Sequence, residues 1–530
     1  MTPVFSWLKP FLVLNLLLVA LMLPRFPAMP WIALEALLLV WFLWLLPTAR
    51  LRRIAIAIAA LLFALLALIA AGETLIRQSL GRSFNIYLEW GLLAPGFNLM
   101  SSNLGLTAAT VLAFVAVTTL AGLVWLFCRV LAHPGLLTHR PRKRSWILAI
   151  PVVALLLTWL PQTPVAPTAS AMIAQQWSLA RATHVSNQEF QQHIRRQLHE
   201  NRAFAGQAAP LPGLEQQDVL MGFIESYGLS ALTDDRYRPV IEPRLETMAR
   251  AFEAAGLHVV SGRLQSPIQG GQSWLGHASV LSGLWVANQL DYEVLLNSGY
   301  PTLIDDLQLT GHQAIAVMPA ITMNWPEGRL LGYDRIFDAH TMDYQGPELN
   351  WVTMPDQYTW SWFEKRIRTG KEQPLFAELS LISSHAPWVP ILPVLDDWNI
   401  IGDGEVFMEW KGAGETPASL WQDHDRVREH YAMAIDYALA VATDYAVRHV
   451  DHNTLLILLG DHQPAPLITG EDASRDVIVH VISANPTLLE PFVSRMGGLP
   501  SFRRGTLPDT TTAGARMDAL RPFLHQHFGG

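Results

Sequence analysis

Residues Leu455–Pro464 read LLILLGDHQP, an aliphatic run that stops at a glycine followed by a carboxylate and an imidazole. An unbroken aliphatic run between Gly and Pro is typical of a strand that is buried on both faces of a sheet. In open α/β sheets, polar groups just beyond the carboxyl end of such a strand lie where ligands bind. Asp461 and His462 are also a ligand pair suited to Zn²⁺ or Mn²⁺. Taken alone, the same residues could equally form a polar turn.

The composition of the chain excludes several classes of protein. Its 530 residues are 51% hydrophobic and 15% charged, with a mean hydropathy of +0.23, which is too apolar for a fully soluble protein of this size. The formal net charge of −8 predicts no nucleic-acid partner. Cys128 is the only cysteine, so an intrachain disulfide is excluded. The length allows more than one domain.

The apolar excess is concentrated before residue 165 in five segments, each near the ~20 residues that a helix needs to cross a bilayer, and some a little short. Arg and Lys cluster between the second and third segments and between the fourth and fifth. By the positive-inside rule, the amino terminus is cytoplasmic and everything after residue 165 is extracytoplasmic. The five segments are Phe5–Leu23, Pro30–Leu46, Ile54–Ala71, Leu106–Leu126 and Trp146–Leu160.

The chain is thereby predicted to have three parts. Residues 1–165 form a transmembrane domain of five spans. Residues 166–213 are rich in Gln and Arg at helical spacing and form an amphipathic helical linker beside the membrane, which ends at the helix-breaking sequence AAPLPG. Residues 214–530 form an extracytoplasmic catalytic domain.

Short apolar runs alternate with helical patterns throughout residues 214–530. This alternation predicts an α/β/α sandwich, in which helices cover both faces of a mostly parallel sheet. The predicted strands are Val219–Ile224, Ala314–Met318, Leu375–Ile382, Thr454–Leu459 and Val477–Ile482. The predicted helices are Thr247–Ala255, Trp274–Leu290, Thr302–Leu309, Arg426–Arg448 and Ala515–Phe528.

Three of these strands end in groups that can carry chemistry, namely Glu225, His385 and the pair Asp461-His462. A fourth feature is the sequence GGQS, which places Ser273 at the start of a predicted helix. A serine there can be a plain N-cap. The same hydroxyl at the positive end of a helix dipole, beside a metal ion, would instead be a nucleophile. His277, one turn further along, is interpreted as a hydrogen-bonded core histidine, with a place lining the site as the alternative.

Four motifs, FIESYG, GGQSW, SSHAPW and GDHQP, in this order resemble the sulfatase-like branch of the alkaline phosphatase superfamily. The chain most resembles the membrane-bound transferases of that branch, the lipoteichoic acid synthases and the lipid A phosphoethanolamine transferases. The resemblance implies one divalent metal ion, Mn²⁺ or Zn²⁺ with Mg²⁺ possible, and a serine nucleophile. The implied metal ligands are Glu225, Ser273, Asp461 and His462; the implied catalytic residues are Ser273 and His385; and the implied substrate-binding residues are Trp325, Arg329, Tyr333 and His385.

The activity implied by this resemblance is transfer of a phospho-headgroup, of the phosphoglycerol or phosphoethanolamine type, through a Ser273-linked intermediate. The donor would be a membrane phospholipid and the acceptor an envelope glycan or lipid, at the outer side of a bacterial-type inner membrane. Glu327 stands where the lipoteichoic acid synthases have Arg, so the headgroup stays open. The sequence Ser-Trp-Leu-Gly-His at 273–277 does not match a formylglycine motif. The alternative function is a membrane-anchored phosphatase, phosphodiesterase or sulfate-ester hydrolase with the same metal site.

Overall fold

The computed structural model describes residues 4–22, 32–89, 105–134, 165–200, 206–494 and 497–530, together with a few single residues between 96 and 156. The chain divides into two compact units. The first comprises Met1–Arg77 and Arg82–Ser186, and the second comprises Gln78–Gly81 and Asn187–Gly530.

The first unit is helical, and its longest described apolar helices are α3 (Ala49–Leu80) and α5 (Leu106–Leu131). Both are long and apolar enough to cross a membrane. Most of α5 is uncovered, and Phe114 and Val117 are 68% and 66% exposed. The described helices of this part of the chain are α1 (Val4–Ala20), α2 (Leu34–Leu45), α3 (Ala49–Leu80), α4 (Ile86–Glu89), α5 (Leu106–Leu131) and α6 (Ala169–Glu200).

The prediction of five spans is therefore supported for two of them. The predicted first and second spans correspond to the shorter apolar helices α1 and α2. The fifth, Trp146–Leu160, lies outside the described residues except for Val153 and Leu156. Two short strands, β1 (Ile32–Ala33) and β2 (Val165–Ala166), pair in parallel in this unit. Beside them, the carboxylate of Glu35 accepts the backbone N–H groups of Thr168 and Ser170, which lie at the start of α6.

The second unit is built on a sheet of nine strands, ordered β10-β4-β9-β8-β3-β7-β5-β6, with β11 beside β4. Five neighbouring strands, β8, β3, β7, β5 and β6, pair in parallel. Strand β9 is antiparallel to both of its neighbours, β8 and β4. The sheet is thus mixed, and less parallel than the sequence predicts. The strands are β3 (Asp218–Ile224), β4 (His258–Gln265), β5 (Gln313–Met318), β6 (Arg335–Asp338), β7 (Leu375–Leu381), β8 (Thr454–Gly460), β9 (Asp476–Ser483), β10 (Arg503–Arg504) and β11 (Ala515–Arg516).

Helices pack against both faces of this sheet. Because side chains alternate along a strand, β8 sends Leu456 and Leu458 into one apolar core and Leu455 and Ile457 into the other. The helices are α7 (Ser230–Thr233), α8 (Arg238–Ala254), α9 (Ser273–Ser282), α10 (Gln289–Ser298), α11 (Leu303–Leu309), α12 (Pro326–Leu331), α13 (Asp356–Phe363), α14 (Pro417–Leu420), α15 (His424–His449), α16 (Pro466–Thr469), α17 (Glu490–Val493) and α18 (Leu520–Phe528).

The helix predicted at Thr247–Ala255 begins nine residues earlier, at Arg238. Two further helical predictions also differ from the structure. The predicted helix Trp274–Leu290 is two helices, α9 and α10, because Gly283 takes a left-handed conformation (φ 69°) that ends α9. The closing helix begins at Leu520 and not at Ala515, because Ala515 and Arg516 extend the sheet beside β4. Both changes leave Ser273 at the amino end of a helix, next to the central strands.

Candidate active site

Asp461 follows the central strand β8 and is held by two backbone donors. Its Oδ1 accepts the N–H groups of Ser226 at 2.8 Å and of His462 at 2.7 Å. Gly460 lets the chain pass this close to the end of β3, since a Cβ there would lie 2.1 Å from the carbonyl oxygen of Tyr227. Burial raises the pKa of Asp461 to about 6, and the neighbouring Glu225 adds to the rise. Asp461 therefore lies in a site that disfavours a second negative charge.

Glu225 follows the neighbouring strand β3, and its backbone N–H donates to the carbonyl of Leu381 at the end of β7. The next residue, Ser226, has a positive φ of 59°, which directs its N–H at Asp461 and its hydroxyl at Glu225 Oε1. A non-glycine residue in this conformation is strained, and such strain is characteristic of functional sites. Ser226 thus holds the two carboxylates beside each other.

His462 presents one ring nitrogen to both carboxylates. Its Nδ1 lies 2.8 Å from the carbonyl oxygen of Gln463, which can only accept a hydrogen, so Nδ1 carries the hydrogen and Nε2 has a free lone pair. Nε2 is 3.3 Å from Glu225 Oε1 and 3.8 Å from Asp461 Oδ2. Burial lowers the pKa of His462, but the two carboxylates raise it above its usual value overall.

Ser273 is the first residue of α9, and its hydroxyl does not cap that helix. The N-cap position is taken by Gln272, in a left-handed conformation. Ser273 Oγ instead lies 3.3 Å from Glu225 Oε2 and 3.3 Å from His462 Nε2. The position of the hydroxyl therefore favours the nucleophile interpretation over the N-cap interpretation.

These residues fit a divalent metal ion. One donor atom each from Glu225, Asp461 and His462 lies within 4.8 Å of the others, and all three residues are buried. The fixed Nδ1–H of His462 is the contact that usually orients a metal-binding imidazole. Two carboxylates, an imidazole and a hydroxyl make a donor set suited to Zn²⁺ or Mn²⁺. Their role as ligands remains a prediction.

His385 follows β7 through Ser384, whose hydroxyl donates to the carbonyl of Glu225 at 2.6 Å. The imidazole stacks on Trp351 at 3.6 Å, and Nδ1 contacts the carbonyl oxygen of Ala386. Burial lowers the pKa of His385 to about 4, so the ring is neutral at neutral pH. The structure thus leaves Nε2 of His385 as a hydrogen-bond acceptor near the cluster of ligands.

The three other predicted substrate-binding residues differ in burial and in their contacts. Trp325 is half-buried and its ring centre is 6.4 Å from that of Tyr333. Arg329 is exposed on α12. Tyr333 is 8% exposed, and its hydroxyl donates to Glu378.

Glu378 was not predicted from the sequence. It lies in the middle of β7, is 1% exposed, and contacts His277 as well as Tyr333. The sequence carries a signal for it, because a carboxylate within the apolar run LFAELSL needs a partner once the strand is buried.

No protein-family model and no curated protein matches the sequence. Among solved structures, the chain is similar to the lipoteichoic acid synthase LtaP from Listeria monocytogenes at 13% identity and a TM-score of 0.35, covering 52% of this chain and 66% of that chain. The phosphoglycerol transferase GacH from Streptococcus pyogenes has 14% identity and a TM-score of 0.36, covering 56% and 73%.

The phosphoethanolamine transferase EptA from Neisseria meningitidis, an integral membrane protein, is similar over 92% of this chain and 90% of its own, at 13% identity and a TM-score of 0.42. The matched structures thus include members of both groups of transferases that the sequence motifs resemble.

Proposed function

We propose that this protein is a metal-dependent transferase that moves a phospho-headgroup from a phospholipid to an envelope glycan or lipid acceptor. The headgroup is of the phosphoglycerol or phosphoethanolamine type. The observation that supports the proposal is the position of Ser273 Oγ, 3.3 Å from both Glu225 Oε2 and His462 Nε2 at the amino end of α9. Glu225, Asp461, His462 and Ser273 would hold one Zn²⁺ or Mn²⁺, with Mg²⁺ possible. The metal ion, when bound, favours the ionised serine and offsets negative charge on the phosphoryl oxygens.

In the first half-reaction, Ser273 Oγ attacks the phosphorus of the donor phosphodiester. The Oγ–P bond forms, the bond from phosphorus to the diacylglycerol oxygen breaks, and the serine proton ends on that oxygen. Ser273 lies at the amino end of α9, where the positive end of the helix dipole favours a negatively charged phosphoryl group. The product is diacylglycerol and a phospho-headgroup ester on Ser273.

In the second half-reaction, the acceptor hydroxyl attacks the same phosphorus. The acceptor O–P bond forms, the Oγ–P bond breaks, and the proton of the acceptor returns to Ser273. His385 is suited to assist, because its neutral ring offers the lone pair of Nε2 to the incoming hydroxyl. Water in place of the acceptor would give hydrolysis instead.

A lipid donor agrees with the first unit of the structure. Two helices there are long and apolar enough to cross a membrane, and the exposed apolar surface of α5 suits lipid better than water. We place the protein in a bacterial-type inner membrane as a multi-pass protein. The amino terminus is cytoplasmic and residues 214–530 are extracytoplasmic, as the distribution of Arg and Lys predicts.

Purified protein given labelled phospholipids tests the proposal. Wild-type protein should release diacylglycerol and carry a phospho-headgroup adduct on Ser273, whose mass identifies the transferred group. Ser273→Ala should abolish both. Ser282→Ala, on the same helix with its hydroxyl bonded to the carbonyl of Ala278, is the matched control and should stay active. Headgroup release by Ser273→Ala would refute the nucleophile, and release without transfer to any acceptor would identify a hydrolase.

A further inference from the structure

Two buried side chains, Glu378 and Tyr333, and the half-buried His277 on the helix of Ser273 are joined by two hydrogen bonds. Glu378 accepts both of them. His277 Nδ1 lies 2.6 Å from its Oε1, and the hydroxyl of Tyr333 donates to its Oε2. Because a carboxylate only accepts, Nδ1 of His277 carries the hydrogen. Glu378 therefore fixes the tautomer of His277 and leaves Nε2 as an acceptor.

His277 lies next to the metal-binding cluster without belonging to it. Positions 273 and 277 share one face of α9, and helical side chains lean toward the amino end of their helix. The ring of His277 stacks at 3.7 Å on Phe223, which precedes Glu225 by two residues and shares its face of the sheet. On the adjoining side, Gly276 is so close to Asp461 that a Cβ would lie 2.9 Å from its carbonyl oxygen.

The second ring nitrogen of His277, Nε2, is not used by this network. The two ring nitrogens point in nearly opposite directions, so Nε2 faces away from Glu378. Nε2 has no hydrogen-bond partner among the described residues, and the His277 side chain is 13% exposed. Tyr333, at the other end of the chain of hydrogen bonds, is one of the predicted substrate-binding residues and lies near a second, Trp325. The network thus links these predicted substrate-binding residues to the helix that carries Ser273.

A purely structural role would be to fasten α9 to β7. An apolar pair would do this without the cost of burying a carboxylate in the middle of a strand. A purely structural role would also not explain why Nε2 of His277 has a lone pair and no hydrogen-bond partner among the described residues. The arrangement instead matches functional histidines, in which a buried carboxylate sets the tautomer and the far nitrogen meets the substrate.

We propose that His277 Nε2 accepts a hydrogen bond from the headgroup of the donor lipid, and that Glu378 positions the His277 ring. This inference rests on the proposed function. The substrate class is therefore a phospholipid whose headgroup carries an O–H or N–H donor. Phosphatidylglycerol and phosphatidylethanolamine qualify. Phosphatidylcholine has neither donor and is discriminated against.

The methylated ethanolamine lipids test this with minimal change in size. The rate of Ser273 adduct formation is measured with phosphatidylethanolamine, its monomethyl and dimethyl derivatives, and phosphatidylcholine. Since the dimethyl form keeps one N–H and differs from choline by one methyl group, the rate should fall about 10- to 100-fold at that last step, as expected when a buried acceptor is left without a donor. A smooth decline along the series, or equal rates throughout, would overturn the inference.

Variants of His277 separate recognition from structure. His277→Asn keeps an N–H for Glu378 but has no atom at the Nε2 position, so the step between dimethyl and trimethyl lipids should shrink to within about threefold. His277→Gln places an amide oxygen near Nε2 and should restore part of the step. Glu378→Gln keeps both contacts without the charge, and should reduce the step because the tautomer is no longer fixed.

The control is His449→Asn. His449 is also a half-buried histidine beside a glutamate, with Nδ1 3.7 Å from Glu364 Oε1, but it lies at the amino ends of the strands. This variant should leave the whole series unchanged. Undiminished selectivity in His277→Asn would overturn the inference. If that variant does not fold, His277→Gln and Glu378→Gln decide, and wild-type selectivity in both would refute it.

Failure of the proposed function gives a different result, because no lipid would then form an adduct on Ser273. A binding measurement covers that case. Phosphoethanolamine and phosphocholine are titrated into metal-loaded Ser273→Ala protein by calorimetry. Phosphoethanolamine should bind about tenfold more tightly, and the added His277→Asn change should remove the difference. Equal binding of the two compounds would refute the role of His277.

Discussion

Strands β3 and β8 lie side by side in the centre of the sheet, and buried carboxylates occur at opposite ends of this pair with opposite surroundings. At the amino end, Asp218 is neutralised: Arg368 Nε is 3.0 Å from its Oδ2, Lys371 pairs with its Oδ1, and the N–H of Leu375 donates to it. At the carboxyl end, Glu225 and Asp461 face each other, and His462 is the only ion-pair partner of either among the described residues.

The difference shows which acids serve the fold and which serve a ligand. Burying two carboxylates without a cation is costly, since each must be paired or protonated. The protein meets this requirement at the amino end with its own Arg and Lys. At the carboxyl end it does not, and the pKa of Asp461 rises to about 6 because of burial and Glu225. A bound divalent cation would remove that penalty, which is why we propose that a metal ion binds at this end.

The largest expected effect comes from removing a carboxylate at the carboxyl end. Asp461→Asn should lower the rate of Ser273 adduct formation by about 10³-fold or more, because a metal ion supplies several kcal/mol of transition-state stabilisation. The purified variant should contain little metal by elemental analysis. Asp472→Asn, an exposed acid eleven residues further on, is the control and should be fully active. Full activity in Asp461→Asn would mean that this carboxylate is not a ligand.

The second effect concerns the amino end. Arg368→Met should lower the free energy of unfolding by about 3 kcal/mol or more, because it leaves Asp218 buried with one cation fewer. Activity per folded molecule should be unchanged. Arg366→Met, two residues earlier and exposed in its pair with Asp403, should cost less than about 1 kcal/mol. Chemical unfolding of the full chain in detergent measures both, and equal losses would contradict the comparison.

How far this arrangement could be predicted from sequence depends on how each part is buried. Strands β3, β7 and β8 are covered on both faces, so most of their residues are apolar and their ends can be located to within a residue. That is why Glu225, His385 and Asp461 could be placed at one edge of the sheet. Their roles in binding and catalysis stay predictions.

Strand β4, by contrast, was not predicted because its polar residues are satisfied by partners distant in sequence. Ser261 lies within the sheet because its hydroxyl contacts His480, which in turn contacts the hydroxyl of Tyr227. Nothing in the local pattern HVVSGRLQ reveals those partners. Glu378 is the same case with a clearer signal, since a lone carboxylate in an apolar run requires donors that only the fold can supply. Its donors, His277 and Tyr333, come from two other segments.

A third prediction measures the cost of burying Glu225 and Asp461 without a cation at the carboxyl end. Adding Zn²⁺ or Mn²⁺ to metal-free protein at 100 times the dissociation constant should raise the free energy of unfolding by about 2.7 kcal/mol. Asp218→Asn, at the other end of β3, should keep this increase although it is less stable from the start. Asp461→Asn should lose it. An equal increase in all three proteins would show that the stabilising metal binds elsewhere.

The last prediction, whose effect per pH unit is the smallest, sharpens the comparison by asking which acids at the carboxyl end are charged. Asp356, hydrogen-bonded to Ser383 beyond the end of β7, is buried with no ion-pair partner among the described residues, and burial raises its pKa from 3.8 to about 7. The folded protein therefore binds one more proton than the unfolded chain between these values. The stabilisation is complete below the unfolded pKa and is lost as the pH rises through about 7. In metal-free protein, stability should fall by about 1.4 kcal/mol per pH unit around pH 5.5 from this group alone. Asp356→Asn should remove that slope while all other titrating groups stay the same, so parallel stability curves for the two proteins would show that Asp356 is ionised in the fold.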